Sequence, residues 1–243
     1  INNTGFFHFG SDDKSDPMRS LAISLEKAVT TKRCLTGSLL VLPEAFNIRN
    51  DYQTLSAPDP SVVYALKEMS KEHGMAFVAG LLHRRTRYSC AHLIDGDTCR
   101  LLSRKRDRDG SPNYQPYEGV SDGPCLHRGV WIAALICHDA AGNPAPGGNW
   151  DQKRQWQAAM AKQIEACKDC VHALLCIPGR MVTVSSKSVA TSWSSQRPDL
   201  TVVVANATSS QPSVIRYGKW SVCSEKAGNA VWLRPWTELK DQA

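Results

Sequence analysis

The stretch GVWIAALICHDAAGNP, residues 129–144, places three reactive side chains directly after an apolar run. The run over residues 130–136 is typical of a buried strand, and the Gly, Asn and Pro residues further on are typical of a loop. Cys137, His138 and Asp139 lie between the two. A cysteine is often only a small buried hydrophobic residue, but a thiol presented at a sheet edge can also be a nucleophile. The rest of the chain bears on which of these two interpretations holds.

Helical and extended patterns alternate along most of the 243 residues, which indicates one α/β domain over residues 1–243. No internal repeat, low-complexity segment or linker divides the sequence. The predicted helices cover residues 17–30, 59–74, 150–170 and 185–196. The predicted strands cover residues 38–42, 75–84, 130–136, 171–179, which Pro178 is expected to stop, and 200–208. A hairpin is predicted over residues 88–104 with its turn at Asp95-Gly96, and two more strands over residues 214–233 with a turn at Gly228-Asn229.

The composition, with 42% hydrophobic and 21% charged residues, is that of an ordinary globular protein. No apolar run approaches the ~20 residues that span a bilayer, and the first ten residues lack the pattern of a signal peptide. The nine irregularly spaced cysteines favour reduced thiols over a disulfide framework. We therefore expect a cytoplasmic protein with no membrane partner.

The net charge of +6 is modest, and four of the basic residues lie in SRKRDR, residues 103–108. This stretch is either a solvated loop or a neighbour of an anionic substrate. A nucleic-acid surface would need basic residues spread over one face together with aromatic platforms for stacking, and the sequence shows neither. We expect no nucleic-acid partner.

Three chemically matched residues, Glu44, Lys105 and Cys137, each follow a predicted strand. Residues just past strand ends converge on one rim of an α/β fold, where ligands bind. A cysteine attacks as the thiolate, which needs a base or a cation nearby. Glu44 would take the thiol proton and later activate a water, while Lys105 and the backbone N–H of His138 would stabilise the oxyanion. The pattern predicts acyl transfer through a thioester.

Several segments resemble those of the nitrilase, or carbon–nitrogen hydrolase, superfamily. VLPEAFNIRNDY (41–52), SRKRD (103–107) and the opening stretch resemble the segments around its catalytic glutamate, lysine and cysteine, in the family order. VVVANAT (202–208) is similar to its strand ending in Asn, and GKWSVCSEKAGNAV (218–231) to its Gly-x-Ser hairpin. The resemblance implies a four-layer α-β-β-α sandwich, a homo-oligomer, and a reaction that needs no metal or organic cofactor.

The same resemblance implies roles for individual residues. Glu44 would be the base, Lys105 the electrostatic stabiliser and Cys137 the nucleophile. The family often has a second glutamate that positions the lysine, and Glu118 is the only glutamate between positions 105 and 137. Asn206, at the end of a predicted strand, either lines the substrate pocket or satisfies the turn that follows.

Departures from the family pattern bear on the substrate. His138 and Asp139 stand where nitrile-hydrolysing members tend to carry Trp-Glu, which favours a small amide or N-carbamoyl compound. His138 is either a polar neighbour of the site or a direct acid–base group, and Asp139 is expected to cap the turn after the strand. The family's arginine after the Cys-x-Asp segment is missing, and the lysine segment is unusually polar. Two alternatives therefore stay open: a catalytically inactive ligand- or partner-binding protein, and an acyltransferase that uses the same thioester.

Cys167 and Cys170 form a CxxC motif, with His172 beyond it. A structural zinc site needs four ligands, and the sequence has no second pair of this kind. A thioredoxin-type redox motif is expected at a helix N-terminus, whereas this one ends a predicted helix. We interpret the two cysteines as structural thiols and predict no metal site.

Overall fold

The computed structural model describes residues 4–8, 37–48, 61–83, 85–106, 115–117, 123–141, 150–166, 173–179, 184–195, 200–207, 212–217, 219–224 and 229–233. The strands are β1 (Thr4–His8), β2 (Leu39–Val41), β3 (Ala76–Leu82), β4 (Ser89–Asp95), β5 (Thr98–Arg104), β6 (Cys125–His127), β7 (Val130–Ala134), β8 (Ala173–Gly179), β9 (Leu200–Asn206), β10 (Val214–Tyr217), β11 (Trp220–Cys223) and β12 (Asn229–Leu233). The helices are α1 (Ser61–His73), α2 (Trp150–Ala166) and α3 (Ser186–Ser194), with a 3₁₀ turn at Cys137–Ala140. The predicted helix over residues 17–30, the CxxC motif and Glu118 lie outside the described residues.

The strands form two six-stranded sheets, in the orders β1-β12-β2-β3-β4-β5 and β11-β10-β9-β8-β7-β6. The central strands are parallel in both sheets: β2 with β3 in the first, and β7, β8 and β9 in the second. Parallel strands place their carboxyl ends at a common edge of the sheet. Each sheet therefore has one edge where loops from several strands meet.

The hydrophobic alternation along β2 shows how the layers are built. Leu39 and Val41 pack in a cluster that joins the inner faces of both sheets, whereas Leu40 and Leu42 pack in a second cluster with the buried face of α1. Residues of α2 and α3 cover the outer face of the second sheet. The result is a helix layer, two sheets and a second helix layer, so the predicted α-β-β-α sandwich is confirmed. Among the described helices, none has the length and apolar character needed to cross a membrane.

The structure corrects the predicted end of β8. Pro178 does not stop the strand, which continues to Gly179 and pairs Pro178 with Ala205 of β9. The Cys176 carbonyl accepts a hydrogen bond from the Leu135 N–H, so the backbone polar groups of the even-numbered residues of β8 face β7. Position 178 faces the same side, but β7 has already ended at Ala134, so proline is tolerated there. The missing N–H of Pro178 therefore removes no hydrogen bond from the sheet.

Turn positions differ from the predicted ones in two places. The β4–β5 hairpin closes on the pair Asp95–Thr98, so its loop is Gly96-Asp97 rather than Asp95-Gly96, and Gly96 takes the positive φ of 55°. The predicted turn at Gly228-Asn229 is wrong, because residues 214–233 form three strands instead of two. β10 and β11 form the hairpin, and β12 begins at Asn229 and joins the other sheet, where it pairs with β1 and β2.

The opening strand is shorter than predicted, since β7 ends at Ala134 rather than at residue 136. Cys137 is therefore not the last residue of a strand but the first of a 3₁₀ turn. The six cysteines that the structure describes are free thiols.

Candidate active site

Glu44 lies in a turn directly after β2 that is pinned to the end of β3. The Phe46 N–H donates to the Gly80 carbonyl at 2.9 Å. The Asn47 side chain pairs with both backbone groups of Leu82, at 2.8 and 2.9 Å, as an added strand residue would. Ala45 takes a left-handed φ of 55°, which folds the turn back toward β3. These bonds fix the backbone of a carboxylate whose side chain is 1% exposed.

Gly80 is the position at which the two sheets approach each other beside Glu44. A Cβ on this residue would lie 2.7 Å from the Glu44 Cα and 2.8 Å from the Pro178 Cβ, which belongs to the opposite sheet. Real Cβ atoms do not come so close to backbone or ring atoms, so only glycine fits here. Gly80 thus brings the edge that carries Glu44 against the end of β8.

Lys105 completes a buried ion pair with Glu44. Its Nζ lies 2.9 Å from the Glu44 Oε1, and the lysine side chain is also 1% exposed. Lys105 directly follows β5, where its N–H donates to the Ser89 carbonyl and its carbonyl accepts from Tyr117. The Ser89 hydroxyl donates to the same Oε1 of Glu44 at 3.0 Å. The structure therefore brings Glu44 and Lys105 together, as the positions of their predicted strands suggested.

Cys137 begins the 3₁₀ turn after β7 with a φ of 48° and is 3% exposed. A non-glycine residue in this region carries strain of about 1–2 kcal/mol, and such strain persists only where the surroundings hold it. The four carbonyls of residues 138–141 all accept hydrogen bonds from side chains of α2 and α3. The pairs are Lys153 Nζ to His138 at 2.6 Å, Gln157 Nε2 to Asp139 at 3.0 Å and to Ala141 at 2.6 Å, and Trp193 Nε1 to Ala140 at 2.9 Å. The turn is held from its outer side by these two helices.

Asp139 connects the cysteine turn to the lysine segment. Its two carboxylate oxygens accept from the Arg106 backbone N–H at 3.0 and 3.2 Å. These bonds link the cysteine turn, which follows a strand of the second sheet, to the lysine segment of the first. Because Arg106 follows Lys105 and Asp139 lies two residues after Cys137, this bond places the lysine and the cysteine segments side by side.

The structure also describes two other predicted site residues, His138 and Asn206. His138 is half-buried, and its carbonyl accepts the Lys153 bond. Asn206 is completely buried at the end of β9, where its N–H donates to the Ser213 hydroxyl. Within the described ranges, no group of three or more His, Cys, Asp or Glu side chains is arranged to hold a metal ion.

Sequence reasoning missed Ser89, Gly80 and the helical side chains that hold the cysteine turn. A signal for the last was present, because Lys153, Gln157 and Met160 follow the helical spacing of one face, and that face covers the second sheet. A lysine on that face indicates a buried partner. Ser89 and Gly80 carry no such signal, since their partners lie on distant segments.

Neither a protein-family model nor a curated protein matches the chain. Solved structures do match over nearly its whole length. Nit3 of Saccharomyces cerevisiae, a member of branch 10 of the nitrilase superfamily, aligns with a TM-score of 0.62 at 17% identity, covering 98% of this chain and 91% of its own. A CN-hydrolase superfamily protein of Xanthomonas campestris with an arsenic adduct in its active site gives 0.64 at 13%, covering 98% and 92%. A variant of an amidase of Nesterenkonia sp. AN1, with acrylamide added to its active-site cysteine, gives 0.59 at 14%, covering 98% of each chain.

These matches show that the chain has the fold of the nitrilase superfamily. The fold that the three sequence segments predicted is therefore confirmed. At 13–17% identity the matches speak for the fold alone. The chemistry of this chain has to be argued from its own side chains.

Proposed function

We propose that the protein is a cysteine-dependent hydrolase of a non-peptide carbon–nitrogen bond, with a small amide or N-carbamoyl compound as substrate. The observation that carries the proposal is the fully buried Glu44–Lys105 pair, next to which the Asp139–Arg106 bonds hold the turn of Cys137. A base and a cation at the edge of one sheet, linked to a thiol-bearing turn of the other sheet, are the groups that thioester chemistry needs.

The proposed reaction has two halves. Glu44 takes the proton of the Cys137 thiol, and the thiolate attacks the substrate carbonyl while Lys105 and the His138 N–H stabilise the oxyanion. The C–N bond breaks, and the amine leaves with the proton from Glu44. A water then gives its proton to Glu44 and attacks the thioester, so that the acid leaves and the thiolate is regenerated. No metal or organic cofactor takes part in this scheme.

The Glu44 carboxylate has one oxygen available for these proton transfers. Its Oε1 accepts from Lys105 and Ser89, whereas its Oε2 is buried and accepts no hydrogen bond from any residue that the structure describes. A buried carboxylate oxygen without a donor is costly unless a proton donor occupies the site at some stage. A thiol, and later a water, would be that donor.

Cysteine labelling tests this proposal without knowledge of the substrate. Each cysteine is alkylated with iodoacetamide near pH 6, and the rates are read by mass spectrometry. Cys99 serves as the internal comparator. It is an exposed residue, and the partial burial of its sulfur raises the pKa of its thiol, so it is not an activated cysteine. We expect Cys137 to react much faster than Cys99 despite its lower exposure, and Lys105→Ala to slow Cys137 alone. Labelling of Cys137 no faster than that of Cys99 would favour the inactive binding protein.

Turnover is then sought with a panel of small amides and N-carbamoyl amino acids. Cys137→Ala should abolish any activity found, while its unfolding midpoint stays near that of the unmodified chain. Addition of hydroxylamine separates hydrolysis from acyl transfer, since a transferase forms the hydroxamate in preference to the free acid. Activity retained without the Cys137 thiol would refute the mechanism.

A further inference from the structure

Ser89 is a buried polar residue whose two functional groups reach both members of the ion pair. It is 0% exposed at the start of β4. Its hydroxyl donates to the Glu44 Oε1 at 3.0 Å, and its carbonyl accepts from the Lys105 N–H at 2.8 Å. One residue therefore sets the side chain of the carboxylate and the backbone of the lysine.

The two donors to Glu44 converge on a single oxygen. Lys105 donates to Oε1 at 2.9 Å and Ser89 at 3.0 Å, which leaves Oε2 without a donor among the described residues. Rotation of the carboxylate away from this orientation would break both charge-assisted bonds, each stronger than a neutral hydrogen bond. Lys105 alone would permit more rotation, since an ammonium is a compact charge with rotatable donors.

The start of β4 holds Ser89 in place independently of Glu44. Ser89 pairs with Leu82 of β3, and the loop between them is closed by the bond from the His83 N–H to the Tyr88 carbonyl at 2.8 Å. Leu82 is in turn paired with the Asn47 side chain of the glutamate turn. The hydroxyl and the carboxylate thus sit on one backbone framework.

We propose that Ser89 is a positioning residue that orients the Glu44 carboxylate, so that its two oxygens have different roles. Oε1 is the anchor, and Oε2 is the atom that accepts protons from the thiol and from water. The inference rests on the proposed function and deepens it. Loss of the hydroxyl leaves the ion pair formed but lets the carboxylate turn away from the reacting proton, so the step that depends on water activation slows.

The test uses 4-nitrophenyl acetate as the probe, because the number of reactive thiols and the rate of deacylation are then measured separately. The Cys137 thiolate attacks the ester carbonyl and the C–O bond breaks, releasing 4-nitrophenolate in a burst. Water then attacks the thioester, gives its proton to Glu44, and the C–S bond breaks to release acetic acid and the thiolate. The good leaving group needs no proton, so the burst amplitude counts the reactive thiols and the steady rate reports the activation of water by the base.

We expect Ser89→Ala to keep the burst amplitude and to slow deacylation about 10- to 100-fold, the loss of one hydrogen bond to a charged group. Glu44→Gln should slow deacylation further, and the double variant Glu44→Gln/Ser89→Ala should be no slower than Glu44→Gln, because Ser89 acts only through the carboxylate. Ser103→Ala is the matched control. It removes a hydroxyl that is also buried in the same hairpin but forms no hydrogen bond among the described residues, and it should leave both steps unchanged.

The outcomes separate the two proposals. An unmodified chain that gives no burst dependent on Cys137 overturns the proposed function itself. A normal burst with unchanged deacylation in Ser89→Ala overturns only the role of Ser89. A reduced burst amplitude in Ser89→Ala, or additive losses in the double variant, shows a general structural disturbance and also overturns the positioning role.

Discussion

The Nζ of Lys105 and the Oε1 of Glu44 lie 2.9 Å apart, although each side chain is only 1% exposed. Removing two charges from water costs several kcal/mol per ion, and apolar residues of similar volume often serve stability equally well. The pair is therefore a poor device for stabilising the fold. It is a good device for holding a base and a cation in a water-poor place, where electrostatic interactions are strong.

Replacing Glu44 with Gln leaves Lys105 as a buried cation without its carboxylate. We expect a loss of stability of about 3–5 kcal/mol, as for other buried pairs broken on one side. Deacylation of the acetylated thiol should fall about 10²- to 10⁴-fold, as for loss of a general base. Urea unfolding and the 4-nitrophenyl acetate assay measure the two effects.

Glu68→Gln is the matched control for that substitution. Glu68 forms a 3.1 Å pair with Lys71, but both side chains are more than two-fifths exposed. The stability of this variant should change by less than about 1 kcal/mol, because exposed pairs contribute little. Deacylation at the unmodified rate in Glu44→Gln would remove the carboxylate from the mechanism.

The sequence predicted the features whose signal is local. Glu44, Lys105 and Cys137 each follow an apolar strand within a segment that resembles a family motif, and strand and helix positions follow hydrophobic periodicity. What it did not predict depends on contacts between distant segments. Pro178 continues β8 only because β7 ends earlier, and Ser89 reaches a carboxylate in the turn after β2. The Gly228-Asn229 dipeptide has the composition of a turn, but Asn229 already belongs to a strand that joins the other sheet.

Gly80→Ala tests the close approach of the sheets at the site. The new methyl would overlap the Glu44 Cα and the Pro178 ring, neither of which is the end of a flexible side chain. We expect a stability loss of about 1–3 kcal/mol from overpacking, together with slower deacylation as Glu44 is displaced. Thermal unfolding and the ester assay measure the two effects.

Gly96→Ala serves as its control at the other end of the same sheet. Gly96 has a φ of 55° with nothing within 4 Å of the added methyl. The backbone strain should cost about 1–2 kcal/mol but leave deacylation unchanged. Unchanged stability and an unchanged deacylation rate in Gly80→Ala would contradict this prediction, because they would show that the backbone accommodates the methyl group.

Asp139→Ala tests the link between the cysteine turn and the lysine segment. It removes the acceptor of the Arg106 N–H, which is left half-buried and unpaired at a cost of about 1–3 kcal/mol. We expect slower alkylation of Cys137, since the turn is no longer held beside Lys105. Asp139→Asn keeps one acceptor oxygen, so its rate of Cys137 alkylation should lie between those of Asp139→Ala and the unmodified chain.

Asp151→Ala is the control for the loss of a carboxylate. Asp151 pairs with Arg154 of the same helix at 3.1 Å, and its side chain is 81% exposed. Its removal should affect neither alkylation nor stability measurably. Identical alkylation rates in Asp139→Ala and the unmodified chain would mean that the carboxylate does not position the nucleophile.

His127 makes stability depend on pH at the edge opposite the candidate site. Burial lowers the pKa of its imidazole. Asp95, 3.3 Å away, raises this pKa but does not offset the effect of burial. Arg128 pairs with the same carboxylate and also repels the charged ring. The unfolded chain, with its ordinary pKa near 6.5, therefore binds more protons than the folded chain. Stability contributed by the neutral ring is present above about pH 6.5 and is lost as the pH falls through the lowered folded pKa. Urea unfolding at intervals from pH 8 to pH 5 should show this decline, and His127→Gln should make it shallower; the same slope in both proteins would contradict the assignment.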